Sequence, residues 1–213
     1  MTNIVRRAFH VILKRIGGGK ARKYVWDQEY SNGNWDFLET DEKTASGDII
    51  YTFLNKYSKN GDILDLGCGS GDTALHLHTD IYKRYTGVDV SEIAVQKAIQ
   101  RCSIRDIQKH SICEFITSDI LSYVPTMEYG VILFRESLNY INRSKIKGTL
   151  DRYANYLQKN GVFIVRMYDR CKEDSIIKLI EKNYTIVEEY LADNNTTTII
   201  LVFSPLDIRE KGL

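Results

Sequence analysis

The segment DILDLGCGSGD, residues 62–72, decides the fold class, because an apolar run leads directly into three closely spaced glycines. Asp62–Leu66 is a predicted buried strand, and Gly67, Gly69 and Gly71 follow it at alternate positions. Glycine adopts positive φ and lets a ligand approach the backbone, and a helix N-terminus behind it adds unpaired N–H groups. The segment therefore predicts a small, partly anionic ligand at the end of a strand.

Strands and helices alternate along the rest of the chain. The predicted helices cover residues 44–57, 72–79, 91–102, 143–158 and 174–182, and the further predicted strands cover 85–88, 113–117, 130–134, 162–167, 184–190 and 196–203. Ser91 is the expected N-cap of its helix, and Asn160-Gly161 is expected to close the helix at 143–158. Asp193–Asn195 predicts a hairpin turn. The pattern indicates an α/β three-layer sandwich, with a seven-stranded, mostly parallel sheet, a terminal antiparallel hairpin and helices on both faces.

The length of 213 residues and a hydrophobic content of 43% suit one domain with a substantial core. We assign residues 24–213 to that domain, with 24–60 as an N-terminal lid and helix. Residues 1–23 form a predicted basic appendage of charge +7, although the whole chain carries only +1. This segment is a membrane-surface or partner-binding helix, or else an arm that is solvated or packed on its own domain. The spacing of the four cysteines matches no zinc site, and we predict no metal site.

Carboxylates flank the glycines and follow the next two strands. Asp65 and Asp72 disfavour a phosphate beside the glycine loop and favour a ligand that carries an amine. Asp89 ends the second strand, where an acid can accept both hydroxyls of a ribose. Asp119 ends the third strand, where it can accept from an adenine amino group while Ile120 packs on the ring. S-adenosylmethionine combines these groups, since it has an ammonium, a carboxylate, a sulfonium and an adenosine.

On these motifs, the segment from about Thr44 to Arg170 resembles class I S-adenosylmethionine-dependent methyltransferases, whose sheets have seven strands and a terminal antiparallel hairpin. The resemblance implies S-adenosyl-L-methionine as cofactor and S-adenosyl-L-homocysteine as product. It places the cofactor on a set of residues from the lid, the glycine loop and the strand ends: Tyr30, Trp35, Asp65, Gly67, Cys68, Gly69, Asp89, Val90, Asp119, Ile120 and Arg135.

We expect the side of the site that binds the methyl acceptor to be formed after the fourth strand, by Phe134–Tyr140. That segment lacks the Asn/Asp-Pro-Pro-aromatic sequence of enzymes that methylate amino groups of nucleic acid bases. It resembles small-molecule enzymes, including nodulation-type methyltransferases, and Tyr30–Leu38 resembles lids from surface-polysaccharide clusters. Glu136 and Tyr140 are the catalytic candidates. The alternative for Glu136 is an ion pair with Arg135 or Arg166.

The hypothesis is methyl transfer to an O or N acceptor on a small molecule or glycan, as in bacterial surface-polysaccharide biosynthesis. One alternative is an RNA or protein methyltransferase that uses the basic residues 1–23, and another is a non-catalytic cofactor-binding scaffold. An NAD enzyme is disfavoured by Asp72. We expect a cytoplasmic protein without a nucleic acid partner, with contact to the inner membrane surface through residues 1–16 as an alternative. The sequence leaves the oligomeric state open.

Overall fold

The protein is described by a computed structural model that covers residues 13–14, 17–37, 49–103, 112–192 and 197–206. Seven strands form one sheet in the order β3-β2-β1-β4-β5-β7-β6. Their bounds are Gly61–Leu66 (β1), Tyr82–Asp89 (β2), Ile112–Thr117 (β3), Tyr129–Arg135 (β4), Leu157–Met167 (β5), Tyr184–Leu191 (β6) and Ile199–Pro205 (β7). The strands from β3 to β5 pair in parallel, and β7 pairs antiparallel with both β5 and β6. The predicted sheet and its terminal antiparallel pair are confirmed.

Helices cover both faces of this sheet. Their bounds are Gly19–Ser31 (α1), Ile50–Ser58 (α2), Asp72–His76 (α3), Glu92–Ser103 (α4), Arg143–Ala154 (α5) and Arg170–Asn183 (α6), with a short 3-10 helix at Leu138–Tyr140. Alternate residues of a strand point to opposite faces, so Ile63 packs in the core beneath α2 while Leu64 packs in the core beneath α5 and α6. The two cores make the predicted three-layer sandwich. The strand order reverses between β1 and β4, which is where an open α/β sheet binds its ligand.

The predicted helix at 143–158 is longer than the helix in the structure. The helix α5 ends at Ala154, and β5 begins at Leu157. Asn160 and Gly161, which we expected to close the helix, lie inside β5, where Asn160 has a φ of +66° and the pairing with β4 shifts register. A Cβ on Gly161 would lie 2.9 Å from the Gln158 carbonyl oxygen, so the bulge requires glycine.

Other boundaries differ by smaller amounts. The helix predicted at 174–182 starts at Arg170, because the Asp169 carboxylate caps it by accepting from the Lys172 N–H at 3.2 Å. Ser91 caps α4 as expected, since its hydroxyl accepts from the Ala94 N–H at 3.2 Å. The helix α1 runs across the boundary that we placed after residue 23. The predicted basic helix at 1–16, except for residues 13 and 14, and the turn at 193–195 lie outside the described residues.

Candidate active site

A cavity of about 580 Å³ lies at the carboxyl ends of the central strands, beneath α1 and the residues that follow it. Twelve of the thirteen side chains and glycines predicted for the site line it: Tyr30, Trp35, Gly67, Cys68, Gly69, Asp89, Val90, Asp119, Ile120, Arg135, Glu136 and Tyr140. Asp65 is not among the lining residues. The chain thus brings its lid, its glycine loop and its acceptor-side candidates to one place.

The neighbours of Gly67 and Gly69 leave no room for a side chain at either position. Gly67 and Gly69 have φ values of +87° and +55°, in the left-handed region. A Cβ on Gly67 would lie 2.4 Å from the Ser137 Cβ, and a Cβ on Gly69 would lie 2.6 Å from the Tyr30 hydroxyl oxygen. The loop after β4 and the lid therefore both pack directly on the glycine loop.

The backbone N–H groups of the loop are mostly used within the protein. The Gly67 N–H donates to the Val88 carbonyl at 2.7 Å, and the Gly69 N–H donates to the Asp89 carboxylate at 3.0 Å. The Gly71 N–H donates to the Cys68 carbonyl at 3.1 Å. These three N–H groups are therefore used within the protein and are not available to hold an anion.

Asp89 occupies the position expected of a ribose ligand. Its two carboxylate oxygens accept from the N–H groups of Gly69 and Ser91, at 3.0 and 2.8 Å. Burial raises the pKa of Asp89 to about 6, although these two donors oppose the shift. Each oxygen keeps a further lone pair, so the carboxylate can still accept from a pair of hydroxyls in the cavity.

Asp65 lies behind the loop, on the β1 face that packs against Tyr85. It is 1% exposed and accepts a hydrogen bond from the Tyr85 hydroxyl. Burial raises its pKa to about 6, and the Tyr85 hydrogen bond and the Arg135 charge act in the opposite direction. Its direct contact with a cofactor amine stays a prediction.

Asp119 already has a cationic partner, which the sequence did not reveal. The Arg22 guanidinium donates to it through Nε at 3.0 Å and also through Nη2. The other carboxylate oxygen accepts from the Leu121 N–H at 2.9 Å. An adenine amino group at Asp119 would therefore share the carboxylate with Arg22, a residue that we had assigned to the basic appendage.

The charge of Asp72 is balanced within the site. Its carboxylate lies 3.1 Å from Arg135 Nη1 and 3.7 Å from Arg101 Nη2. We expected Asp72 to repel a phosphate, but these two guanidinium groups offset its charge. Asp72 therefore does not by itself exclude a phosphate, and its charge does not disfavour NAD.

Glu136 follows β4 directly, and its backbone is in the left-handed region, at a φ of +55°. Its carboxylate pairs with Arg166 Nη1 and accepts from the Tyr168 N–H at 3.1 Å. Burial raises the pKa of Glu136, and the Arg166 charge opposes this shift. The ion pair that we gave as the alternative is present, and Glu136 still lines the cavity.

Aromatic side chains roof the cavity. Trp26 packs edge-on against Tyr140 with ring centroids 4.9 Å apart, and its centroid lies 5.8 Å from that of Trp35. The ammonium of Lys14 lies 4.1 Å from the centroid of the Trp26 ring. These rings therefore line the cavity and also pack against one another. Lys14 lines the cavity but was missed, because it does not stand in a recognisable motif.

Within the described part of the chain, no group of three or more His, Cys, Asp or Glu side chains could hold a metal ion. No helix in that part is long and apolar enough to cross a membrane.

Comparison with known proteins identifies the family. A family model described as a methyltransferase domain matches residues 57–202. A protein-lysine N-methyltransferase of Saccharomyces cerevisiae is 27% identical over 75% of this chain and 79% of its own length. Trans-aconitate 2-methyltransferase of Enterobacter is 32% identical over 58% of this chain, but that match spans only 45% of the relative.

Solved structures show the same fold. The N-methyltransferase NodS from Bradyrhizobium japonicum, in complex with S-adenosyl-L-homocysteine, superposes with a TM-score of 0.69 at 18% identity. The match covers 87% of this chain and 98% of that one. The family match covers well over half of the sequence, and it coincides with the glycine loop, Asp89 and the seven-stranded sheet. The chain therefore belongs to the methyltransferase-domain family, as a class I S-adenosylmethionine-dependent methyltransferase.

Proposed function

We propose that this methyltransferase acts on an O or N atom of a small molecule or a glycan end that enters the cavity beside the cofactor. One observation carries the proposal: the cofactor residues and the acceptor-side residues line a single cavity of about 580 Å³ beneath an aromatic roof. Cavities of roughly 300–1,000 Å³ are typical of small-molecule sites. Trp26 and Trp35 line this cavity together with the cofactor residues, which favours an acceptor small enough to enter it.

The residues present fit the cofactor. Asp89 would accept from the ribose hydroxyls, Asp119 and Ile120 would meet the adenine, and the Arg135 guanidinium would face the carboxylate of the methionine part. The left-handed glycines and the absence of a side chain at Gly67 and Gly69 leave room for close approach of the ligand to the backbone. When bound, S-adenosylmethionine supplies an electrophilic methyl group on a sulfonium.

The contribution of the protein to the reaction is mainly orientation. Holding the acceptor atom in line with the methyl group can supply about 7–11 kcal/mol of the barrier reduction. Glu136 is the carboxylate on the acceptor side, and its raised pKa makes it a better proton acceptor than an exposed glutamate. Arg166 holds that carboxylate in place, and Tyr140 presents its ring to the same space.

A protein side chain is the second candidate acceptor. It is favoured by the similarity to the yeast protein-lysine N-methyltransferase, whose match covers 75% of this chain. An RNA acceptor has less support. Of the four basic side chains in residues 1–23 that the structure describes, three have carboxylate partners within the domain: Lys14 pairs with Glu29, Arg22 with Asp119 and Lys23 with Asp27.

The test combines binding and turnover. Calorimetry with S-adenosylhomocysteine and with NAD on the full chain should show binding of the first only, and Asp89→Ala should weaken it. Release of S-adenosylhomocysteine should then follow addition of small amines, hydroxy acids or amino sugars. Turnover restricted to peptides or RNA would overturn the small-molecule proposal. Binding without turnover on any of these acceptors would favour the non-catalytic scaffold.

A further inference from the structure

The ammonium of Lys14 lies among three aromatic rings. Its Nζ is 4.1 Å from the ring centroid of Trp26, 5.8 Å from that of Tyr140 and 6.0 Å from that of Trp35. The Glu29 carboxylate lies 3.0 Å from the same nitrogen. We call Trp26, Trp35 and Tyr140 the aromatic cage. An ammonium within about 6 Å of such ring faces is attracted by their negative quadrupole, so the cage is a site for a cation.

This cation site belongs to the active-site cavity. Lys14 and all three rings line that cavity, together with the glycine loop and Glu136. Lys14 is 8% exposed, so its charge is removed from water and is stabilised by the cage and Glu29. Tyr140 follows β4 on the same loop as Glu136, which puts the cage on the acceptor side. A side chain of the protein thus fills a cation site where the acceptor should bind.

The charge balance of methyl transfer gives this cage a chemical use. When a neutral amine attacks, its lone pair forms the new C–N bond, and the C–S bond breaks with its electron pair left on sulfur. The positive charge therefore moves from sulfur to nitrogen, and the methylated ammonium afterwards releases a proton to water. A cage around the nitrogen stabilises a charge that is greater in the transition state than in the neutral reactant, which accelerates the reaction.

On the basis of the proposed function, we propose that the acceptor is an amine whose nitrogen binds in the aromatic cage. In the unliganded enzyme, Lys14 occupies this site and competes with the acceptor. The acceptor class is thereby narrowed from O or N atoms to amines. The rival occupant is the sulfonium of the cofactor, which is also a cation with methyl and methylene substituents.

Binding of a matched pair of probes tests the proposal without turnover. The full chain is saturated with S-adenosylhomocysteine and titrated with choline, whose nitrogen cannot accept a methyl group. The control titration uses 3,3-dimethylbutan-1-ol, the neutral isostere. Both tryptophans of the chain belong to the cage, so tryptophan fluorescence reports its occupation directly.

We expect Lys14→Met to tighten choline binding by about tenfold, because the competitor is removed while the aliphatic stem remains. The control Lys20→Met, at an exposed position of α1, should leave choline binding unchanged. Trp26→Leu should abolish choline binding, whereas Tyr140→Phe, which keeps the ring, should preserve it. Lys14→Met should also lower KM for primary amines.

Three results would overturn the inference. Equal binding of choline and its neutral isostere would show that the cage does not select for charge. Unchanged choline binding in Lys14→Met would show that Lys14 does not compete. Competition of choline with S-adenosylmethionine, but not with S-adenosylhomocysteine, would assign the cage to the sulfonium. Failure of the proposed function is distinguishable, because turnover restricted to peptides or RNA would overturn that function whether or not choline binds in the cage.

Discussion

The contact between Gly69 and Tyr30 gives a quantitative prediction about how the lid sits on the glycine loop. In Gly69→Ala the new Cβ would lie 2.6 Å from the Tyr30 hydroxyl oxygen, on a backbone with a φ of +55°. The left-handed conformation costs about 1–2 kcal/mol for alanine. Tyr30 is only 7% exposed, so displacing its ring adds an overpacking cost of about 1–3 kcal/mol.

A second substitution separates these two costs. In Tyr30→Phe the hydroxyl is gone, and the nearest remaining atom to that Cβ is Tyr30 Cζ at 3.7 Å, an ordinary contact. Only the backbone cost should then remain, so the double variant should recover about 1–3 kcal/mol relative to the sum of the single effects. The measurement is the free energy of unfolding in urea for the wild type, both single variants and the double variant.

Binding and a matched control complete the experiment. Gly69→Ala should weaken S-adenosylhomocysteine binding in calorimetry, and the double variant should regain part of it. Gly148→Ala is the control, since a Cβ there has no heavy atom within 4 Å and the position is an exposed one in α5. It should stabilise the protein by about 0.5–1 kcal/mol. Additive effects of Gly69→Ala and Tyr30→Phe would refute the packing of the lid on the loop.

Three other predictions concern charged groups of the site. Because burial raises the pKa of Asp89 to about 6, S-adenosylhomocysteine affinity should be full above that pH and fall as the pH drops to 5, where the protonated carboxyl accepts poorly; calorimetry on Asp89→Asn should show weak binding that depends less on pH than that of the wild type. Arg22→Met should lower the free energy of unfolding by about 2 kcal/mol, because Asp119 loses its cationic partner, and Lys20→Met should not. Glu136→Gln should reduce turnover by about 10²–10⁴-fold and leave S-adenosylhomocysteine affinity within about twofold of wild type. Full turnover in this variant would show that the role of Glu136 is only to pair with Arg166.

The sequence predicted the parts of the site that lie close together along the chain. The glycine loop follows its strand directly, and Asp89 ends the next strand, so a local pattern was sufficient to find them. The pair between Arg22 and Asp119 joins residues 97 positions apart, and no local pattern indicates it. The sequence interpretation missed this pair, because it set residues 1–23 apart on their charge of +7.

Two other misinterpretations have physical causes. The pair Asn160-Gly161 is equally suited to a helix end and to a bulge, because both need a left-handed backbone, and the pairing of β4 with β5 decides between them. The charge of Asp72 was considered alone, whereas Arg135 and Arg101 reach it from β4 and α4. Spatial neighbours of this kind follow from the fold and not from spacing in the sequence.

The way the roof is attached has a kinetic consequence. Two ion pairs at the protein surface help to fasten it, with Lys23 3.0 Å from Glu92 and Lys97 2.6 Å from Asp36, whereas ladder hydrogen bonds and two apolar cores hold the sheet. Dissolved salt screens exposed pairs within a Debye length of about 8 Å at 0.15 M, and it barely affects buried packing. We therefore expect ionic strength to shorten the residence time of the bound product at concentrations that leave the melting temperature unchanged.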